Sequence, residues 1–425
     1  MKPVGRIETQ PWMTAPATRA VIAALAAGGV EARFVGGCVR DAILGRPVTD
    51  VDLATPAPPE RVTALLAAAG ITVVPTGLKH GTVMAVADGT PFEITTLRRD
   101  VETYGRHARV VFTDDWLADA ARRDLSINAL FCAPDGTLYD PFGGRDDLKR
   151  GRIRFVGDAR ERIREDVLRL LRFFRFYAWY GAPPPDPEAL AAARELAPLL
   201  PTLSGERVRT ETLKLLLAPE PATVVELMRE VGVLAHFLPE AGDTARLRAL
   251  VTLEGATPRR IVPGGDAIRR LAALTAGEAA AAKVAERLRL SNAERAQLMD
   301  LAVAAATGFG IDREMSAAER RRLLYRIGPA RYRDRALLAW ATAVAAGAPV
   351  DRRASEAWIE LIALAVDWTR PVFPLKGRDA VAAGLAPGRR VGDLMQALEE
   401  WWVAGDFQAD RAACLAKLKE LAAAG

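Results

Sequence analysis

Residues 34–52 read FVGGCVRDAILGRPVTDVD, and this stretch decides how the chain is organised. The alternation of Val48, Asp50 and Asp52 about Val51 predicts a strand, on which residues two apart share a face. Two carboxylates on one face repel each other unless a cation sits between them. An all-oxygen pair is the ligand type that Mg²⁺ prefers, with the other positions left to water and substrate phosphates. Gly36-Gly37 would let backbone N–H groups approach a phosphate closely, and Arg40 would add a forked donor. Together these residues predict a metal-plus-triphosphate site, a centre for nucleotidyl transfer. Neither half is specific alone, since Asp-x-Asp commonly marks a solvated turn and Gly-Gly a plain one. The stretch is neither GxxxxGK[ST] nor GxGxxG, which disfavours the common NTPase and dinucleotide folds.

Working outward, residues 15–30 predict a helix that delivers the chain into a Phe34-Val35 strand. After Asp52 comes a Pro-rich loop and a helix from Pro59-Glu60, where Pro suits a first turn. Val73–Val86 and Phe92–Leu97 predict strands, with turns at Gly77, Gly81 and Asp88-Gly89. That order gives an α+β unit with a small mixed sheet backed by helices. Glu93, on the last of these strands, is a candidate third carboxylate, although an outward-facing surface acid would look the same. Arg98–Arg109 is charged and lacks apolar periodicity, which predicts a mobile loop beside the site. In Arg122–Leu130 (RRDLSINAL), Arg123, Asp124 and Asn128 could hydrogen-bond a ribose or phosphate. Read alone, that segment is an ordinary helix start capped by Asp124 or Ser126. Asp140–Gly144 (DPFGG) forms a turn that closes the unit.

From about residue 151 the strand-like runs stop and amphipathic helix takes over. A single helix is predicted over Ala159–Tyr180, with Val167, Leu170, Leu171, Phe174 and Ala178 on its apolar face. Glu165, Asp166, Arg169 and Arg172 share the other face. Glu165 and Arg169 are four apart and could be a surface ion pair only. Asp166 beside Arg169 has a sharper reading, because Asp accepts hydrogen bonds and Arg donates them. Such a pair matches the base edge of cytosine or adenine, which guanine and uracil invert. Another helix starts after Leu203, with Ser204 as a possible N-cap. Beyond residue 216 the chain is helical and carries basic clusters: Arg259-Arg260, Arg269-Arg270, Arg320–Arg322, Arg326, Arg331, Arg333, Arg335 and Arg389-Arg390. Such runs are usually solvated surface, but here they could grip an RNA backbone.

Composition sets the bounds. At 425 residues, half of them apolar, two to four helix-rich units are expected. The net charge of +5 permits an anionic partner without naming one. Cys38, Cys132 and Cys414 lie too far apart for a metal-ligand pattern or a disulfide framework, so a reducing compartment is expected. Three histidines leave little room for His-based metal sites. No secretory signal is visible, and the longest uncharged apolar run, Ala336–Val350, is too short for a bilayer. The expected location is cytoplasmic.

FVGGCVRDAILGRPVTDVDLAT, PTGLKHGTV, FEITTLRRD, RRDLSINAL, YDPFGGRDDL, EDVLRLLRFFRF and SGERVRTETLKLL occur in that order over roughly residues 34–216. In these motifs the chain resembles the bacterial class II CCA-adding tRNA nucleotidyltransferases, of the poly(A) polymerase superfamily. LRLSNAE at 288–294 and the region 375–388 extend the resemblance more weakly. The resemblance implies a polymerase-β-like catalytic head (1–150) with a mixed sheet. It also implies an all-helical neck (151–215) that recognises the base, then a body (216–340) and tail (341–425) that bind tRNA. Asp50 and Asp52 would hold Mg²⁺, with Glu93 a third catalytic carboxylate. Gly36, Gly37 and Arg40 would lie near the triphosphate and Arg123, Asp124 and Asn128 near the ribose. Glu165, Asp166, Arg169 and Arg172 would lie in the base-reading helix. The partners implied are tRNA, CTP and ATP. Val167 replaces a frequent Pro, and Leu125-Ser126 a more usual Phe-Thr. The alternatives are a poly(A) polymerase, one member of a split CC-adding and A-adding pair, or a non-catalytic RNA-binding protein.

Overall fold

Short runs of β-branched and aromatic residues, separated by Gly and Pro, build one mixed sheet in the first half of the chain. The computed structural model describes residues 1–74, 81–104, 107–275 and 277–424. It divides into two units, Met1–Pro239 and Glu240–Gly425. The first unit begins β1 (Gly5–Arg6), α1 (Pro11–Thr14), α2 (Pro16–Ala27), β2 (Arg33–Val35), α3 (Gly37–Ile43), β3 (Val51–Thr55) and α4 (Pro59–Ala68). It continues with β4 (Thr72–Val74), β5 (Thr82–Ala87), β6 (Thr90–Thr96), β7 (Arg98–Tyr104), β8 (His107–Phe112) and α5 (Trp116–Ala121). After a 3₁₀ turn at Ser126–Asn128 come β9 (Phe131–Cys132), β10 (Thr137–Tyr139) and α6 (Gly144–Arg150). Helices α7 (Ala159–Glu165), α8 (Leu168–Tyr180), α9 (Pro187–Leu196), α10 (Gly205–Leu216) and α11 (Pro221–Glu230) complete it.

Eight strands lie in the order β1-β10-β9-β2-β3-β6-β5-β4. Every neighbouring pair is antiparallel except β3 with β6. That parallel pairing puts Val51 opposite Phe92, Asp52 opposite Glu93 and Leu53 opposite Ile94. Phe34, Leu53, Phe92 and Ile94 are fully buried, so register is fixed by their burial. Slipping by one residue would bury Asp52. On the other side of the sheet Val35, Ala54, Leu97 and Phe131 pack with Trp116 and Ala120 of α5. The predicted α+β class and mixed sheet are present.

Three local expectations change. The segment read as a mobile loop is an antiparallel hairpin, β7 with β8, in which Arg98 pairs with Phe112 and Tyr104 with His107. Its backbone partners are each other, so no apolar face is needed to define it. The helix expected over Ala159–Tyr180 is broken at Asp166, whose backbone is extended (φ −149°, ψ 106°) and whose Oδ1 accepts the Leu168 N–H. Asp166 restarts the helix as a cap would, and Val167 takes φ −57°, a value that the more usual Pro would also supply. The 122–130 segment is no ordinary helix start, because Leu125 bridges to Phe155 before the single 3₁₀ turn. Residues 75–80, which carry most of PTGLKHGTV and the expected turn at Gly77, lie outside the described residues.

The second unit consists of α12 (Ala245–Ala256), α13 (Ala267–Leu274), α14 (Glu278–Arg287), α15 (Asn292–Ala305), α16 (Ala317–Ile327) and α17 (Pro329–Ala345). They are followed by α18 (Arg352–Ala363), α19 (Gly377–Ala382), α20 (Arg389–Ala404) and α21 (Arg411–Ala424). Tyr325, Leu375, Leu398, Trp402, Cys414 and Leu418 form one of its cores. Among the described residues, no helix is long and apolar enough to cross a membrane.

The basic clusters separate into two kinds. Arg269 and Arg270 are buried and face inward, against the expectation of an RNA-gripping surface. Glu254 Oε1 accepts from Arg269 Nε (2.9 Å), Glu254 Oε2 from Arg270 Nε (2.8 Å), and Asp334 Oδ1 from Arg269 NH1 (2.7 Å). Arg335 is likewise committed to Asp300 and Arg321 to Asp406. Arg259, Arg260, Arg326, Arg331, Arg389 and Arg390 remain exposed. A buried pair is worth little over an apolar replacement, but breaking one strands the surviving charge at about 3–5 kcal/mol. Glu254→Ala should therefore lower unfolding free energy by about that amount in urea titrations followed by circular dichroism. A loss under about 1 kcal/mol would show that the two arginines find other solvation.

Candidate active site

The site assembles on the face of the sheet that Asp52 shares with Ala54. Asp52 lies on β3 and Asp50 immediately precedes the strand, so the predicted strand starts later than the Val48 alternation suggested. Glu93 sits directly across from Asp52 in the parallel register, and so on the same face, between buried Phe92 and Ile94. Asp52 is pushed up to about 6, first by burial, then by the Glu93 and Asp50 charges, with Arg123 opposing. Among the described residues, no three His, Cys, Asp or Glu side chains close into a ready-made metal cage. An oxygen pair repelled by its neighbours and backed by a third acid suits a hard divalent cation that keeps water and substrate ligands.

Gly36 makes the turn between β2 and α3 with φ +70° and ψ −118°, a conformation that L side chains rarely adopt. A Cβ there would come within 3.6 Å of Arg123 NH1. Arg123 is aimed by Asp119, which is buried within α5 and accepts from Arg123 NH2 at 2.9 Å and from Arg122 NH2 at 2.8 Å. Burial would raise the Asp119 carboxyl, but the two arginines hold it below its ordinary value. Gly37 opens α3, and Arg40, one turn on, is buried. Arg40 Nε and NH2 donate to Asp41, and NH1 donates to Asn128 Oδ1 at 2.8 Å. The Arg40 guanidinium stacks 4.4 Å over the Tyr180 ring. Its fork is thus engaged by protein acceptors rather than turned outward.

Asn128 passes the contact on, with Nδ2 donating to Asp124 Oδ1 at 3.0 Å. Asp124 also accepts the Leu125 N–H at 2.9 Å and Arg172 Nε at 2.6 Å. Arg172 in turn approaches Glu211, which holds Arg175. Ser126 Oγ donates to Asp147 Oδ2 at 2.6 Å, and at Gly144 a Cβ would sit 2.2 Å from the Ser126 carbonyl oxygen, so DPFGG seats α6 directly on the 3₁₀ turn. The structure therefore brings Arg40, Asn128, Asp124 and Arg172 into one chain of contacts.

Glu165, Asp166 and Arg169 cluster at the α7–α8 break, where the Arg169 N–H donates to the Asp166 carbonyl at 2.9 Å while their side chains take other partners. Glu165 takes Arg162 and Arg169, and Arg169 NH2 also donates to the Arg122 carbonyl at 3.1 Å. Asp166 Oδ2 accepts from Arg207 NH2 of α10 at 2.7 Å. The sequence reading missed Asp119, Arg207 and Glu211. An acid three and four residues before Arg122-Arg123 was legible as helical spacing. Nothing in the sequence indicated which partners α10 would meet.

Residues 32–154 match the family described as "Poly A polymerase head domain", and residues 185–243 match "Probable RNA and SrmB- binding site of polymerase A". The chain is 34% identical over 405 residues to "CCA tRNA nucleotidyltransferase 1, mitochondrial" of Danio rerio, covering 92% of this chain and 87% of the relative. It is 42% identical over 231 residues to the "CCA-adding enzyme" of Geobacillus stearothermophilus, covering 54% of this chain and 56% of that one. The crystal structure of the Bacillus stearothermophilus CCA-adding enzyme in complex with CTP superposes with a TM-score of 0.75 at 29% identity, over 96% of this chain and 98% of that one.

The Asp124 network has a pH signature. Burial raises the Asp124 carboxyl, but the Arg172 charge and the bonds from Asn128, Arg172 and Leu125 hold it at about 2, against an ordinary 3.8. A depressed carboxylate stabilises the fold above its unfolded pKa and loses that contribution as pH falls through the folded one. Between about pH 4 and pH 2 the wild type should lose roughly 2 kcal/mol more than Asp124→Asn, measured by urea denaturation at each pH. Parallel pH profiles for the two proteins would remove Asp124 from this role.

Proposed function

The chain belongs to the CCA-adding tRNA nucleotidyltransferase family, and on that premise we propose that it adds C, C and A to the 3′ end of tRNA from CTP and ATP, without a nucleic-acid template and with release of pyrophosphate. One observation carries the site assignment. The buried acids Asp119, Asp124, Asp147, Asp186, Glu211, Glu254 and Asp334 each pair with arginine. Asp52 instead lies across from Glu93 and feels the like charge of Asp50. A fold that neutralises its buried acids gains nothing from leaving half-buried Asp52 opposed by two more carboxylates unless a cation and an anionic substrate complete them.

Asp50 and Asp52 would hold the divalent metal, Mg²⁺ in this reading, with Glu93 beside them. When bound, that ion supplies charge neutralisation at the reacting phosphate and a lowered pKa for a coordinated hydroxyl. The chain's own residues position the reactants. The Gly36 turn leaves room for the triphosphate, and Arg123, fixed by Asp119, adds positive charge there. Asp124 and Asn128, locked by Arg172 and Arg40, offer polar atoms to the ribose. Asp166 accepts from an exocyclic amine while Arg169 donates to the neighbouring ring nitrogen, a pairing that C and A satisfy and U and G do not. The neck, body and tail divisions at 150, 215 and 340 belong to this proposal, with the exposed arginines of the helical part as contacts to the tRNA backbone. Three buried free cysteines fit a reducing compartment, here the cytoplasm.

Asp50→Ala and Asp52→Ala should each lower turnover at least about 10³-fold, as expected when charge neutralisation at the reacting phosphate is lost, while circular dichroism stays unchanged. Near wild-type turnover in either would sink the assignment. A gel assay with Mg²⁺ and transcripts ending before CCA, after C and after CC separates the readings. Three additions from CTP plus ATP and then a stop are expected. Two C additions alone, or A only onto the CC end, would mean a split-pair member, long ATP tails on unrelated RNA a poly(A) polymerase, and no product a binding protein. Asp166→Ala and Arg169→Ala should admit UTP or GTP, and continued exclusion of both by both variants would refute the protein-template reading.

A further inference from the structure

We infer that Arg207 is the positioning residue for the base-reading carboxylate of Asp166, and through it a determinant of nucleotide choice. The inference rests on the base-reading role proposed above. The two reading groups hang from different anchors. Arg169 is held by Glu165, by the Arg122 carbonyl at 3.1 Å and by the Arg162 carbonyl at 3.3 Å. Asp166 receives none of these. Its Oδ1 takes the Leu168 N–H at 3.2 Å, and its Oδ2 takes Arg207 NH2 at 2.7 Å.

Asp166 needs an anchor more than a helical residue would. It lies in the break between α7 and α8 with extended backbone, where no helical turn confines its χ1. One contact through a 3.2 Å backbone bond leaves the carboxylate free to swing about that bond. The second contact, from a planar guanidinium on another helix to the other oxygen, gives the carboxylate a second point of attachment and restrains that swing. A carboxylate offers about four lone-pair sites, so two remain for an exocyclic amine. Stability alone is a weak reason for the pair. The side chains of Arg207 and Asp166 are 25% and 26% exposed, and such pairs contribute little to folding. Four residues along the same face of α10, Glu211 holds Arg175 and approaches Arg172, whose guanidinium clamps Asp124. Helix α10 thus reaches both the base-reading and ribose-reading segments, and Arg207 is its contact to the former.

The test uses the full-length protein with Mg²⁺, a tRNA transcript lacking CCA and one ending in CC. For wild type, Arg207→Ala and Arg207→Lys, kcat/KM is measured for CTP and UTP on the first transcript and for ATP and GTP on the second. Arg207→Ala should lower the CTP:UTP and ATP:GTP ratios at least about tenfold, with Arg207→Lys falling between it and wild type. A purely structural residue would depress all four values together and leave the ratios alone. Wild-type ratios in folded Arg207→Ala overturn the inference, whatever the absolute rates. If Arg207→Ala does not fold, Arg207→Lys decides: a lowered ratio supports the assignment and a wild-type ratio overturns it. Wild-type protein that fails to distinguish CTP from UTP would instead defeat the base-reading role on which the inference rests.

Discussion

The buried carboxylate of Asp124 fastens the catalytic sheet to the helices that follow it. It is 8% exposed and accepts from Asn128, Leu125 and Arg172. Asn128 connects it to Arg40 of α3, and Arg172 connects it to α8 and onward to Glu211 of α10. A buried acid with one partner removed would carry an uncompensated charge, so every link depends on the next. The same residues define the ribose end of the proposed site. Under that proposal rigidity and recognition come from one network, and loosening it to improve either would weaken both.

The strand–turn–helix around the DVD stretch was legible because it is local. Glycine at a positive-φ turn, acids two apart and apolar residues between them are patterns of neighbours in sequence. The register of Asp52 against Glu93 was half legible: Glu93 stood out as an acid between buried residues, but a parallel pairing joins strands some forty residues apart and leaves no local mark. Misreadings arose where a tertiary partner overrode a local pattern. Asp166 interrupts a sequence with good helical periodicity because its side chain caps the second helix and meets Arg207. Arg269-Arg270 looked like surface charge until Glu254 and Asp334, 15 and 65 residues from Arg269, arrived to neutralise them.

Arginine is distributed by function more than by position. One set lies inside as counter-charge to buried acids, where a planar fork that cannot lose its proton is the suitable group. Arg122 and Arg123 show how closely the roles adjoin: both grip Asp119, yet Arg123 also reaches the Gly36 turn and the field of Asp52. A second set, including Arg259, Arg260, Arg326 and Arg331, is exposed on the helical second unit. The arginines buried against acids are not available to a polyanion, so the basic character of the whole chain overstates the charge it can offer one.

The remaining imbalance lies at Asp52. Burial, Glu93 and Asp50 all disfavour its charge, and Arg123 alone opposes them. In a protein that elsewhere matches buried acid with arginine, this is a local cost that folding would remove if folding were the only constraint. Replacing Glu93 with a neutral strand-forming residue such as Thr would relieve it. Retaining the acid makes sense if the opposed carboxylates are relieved by what binds there. The same reasoning explains the placement of Arg123. Being tied to Asp119, it lends positive potential to the site without collapsing onto Asp52, and so leaves that carboxylate open to a ligand.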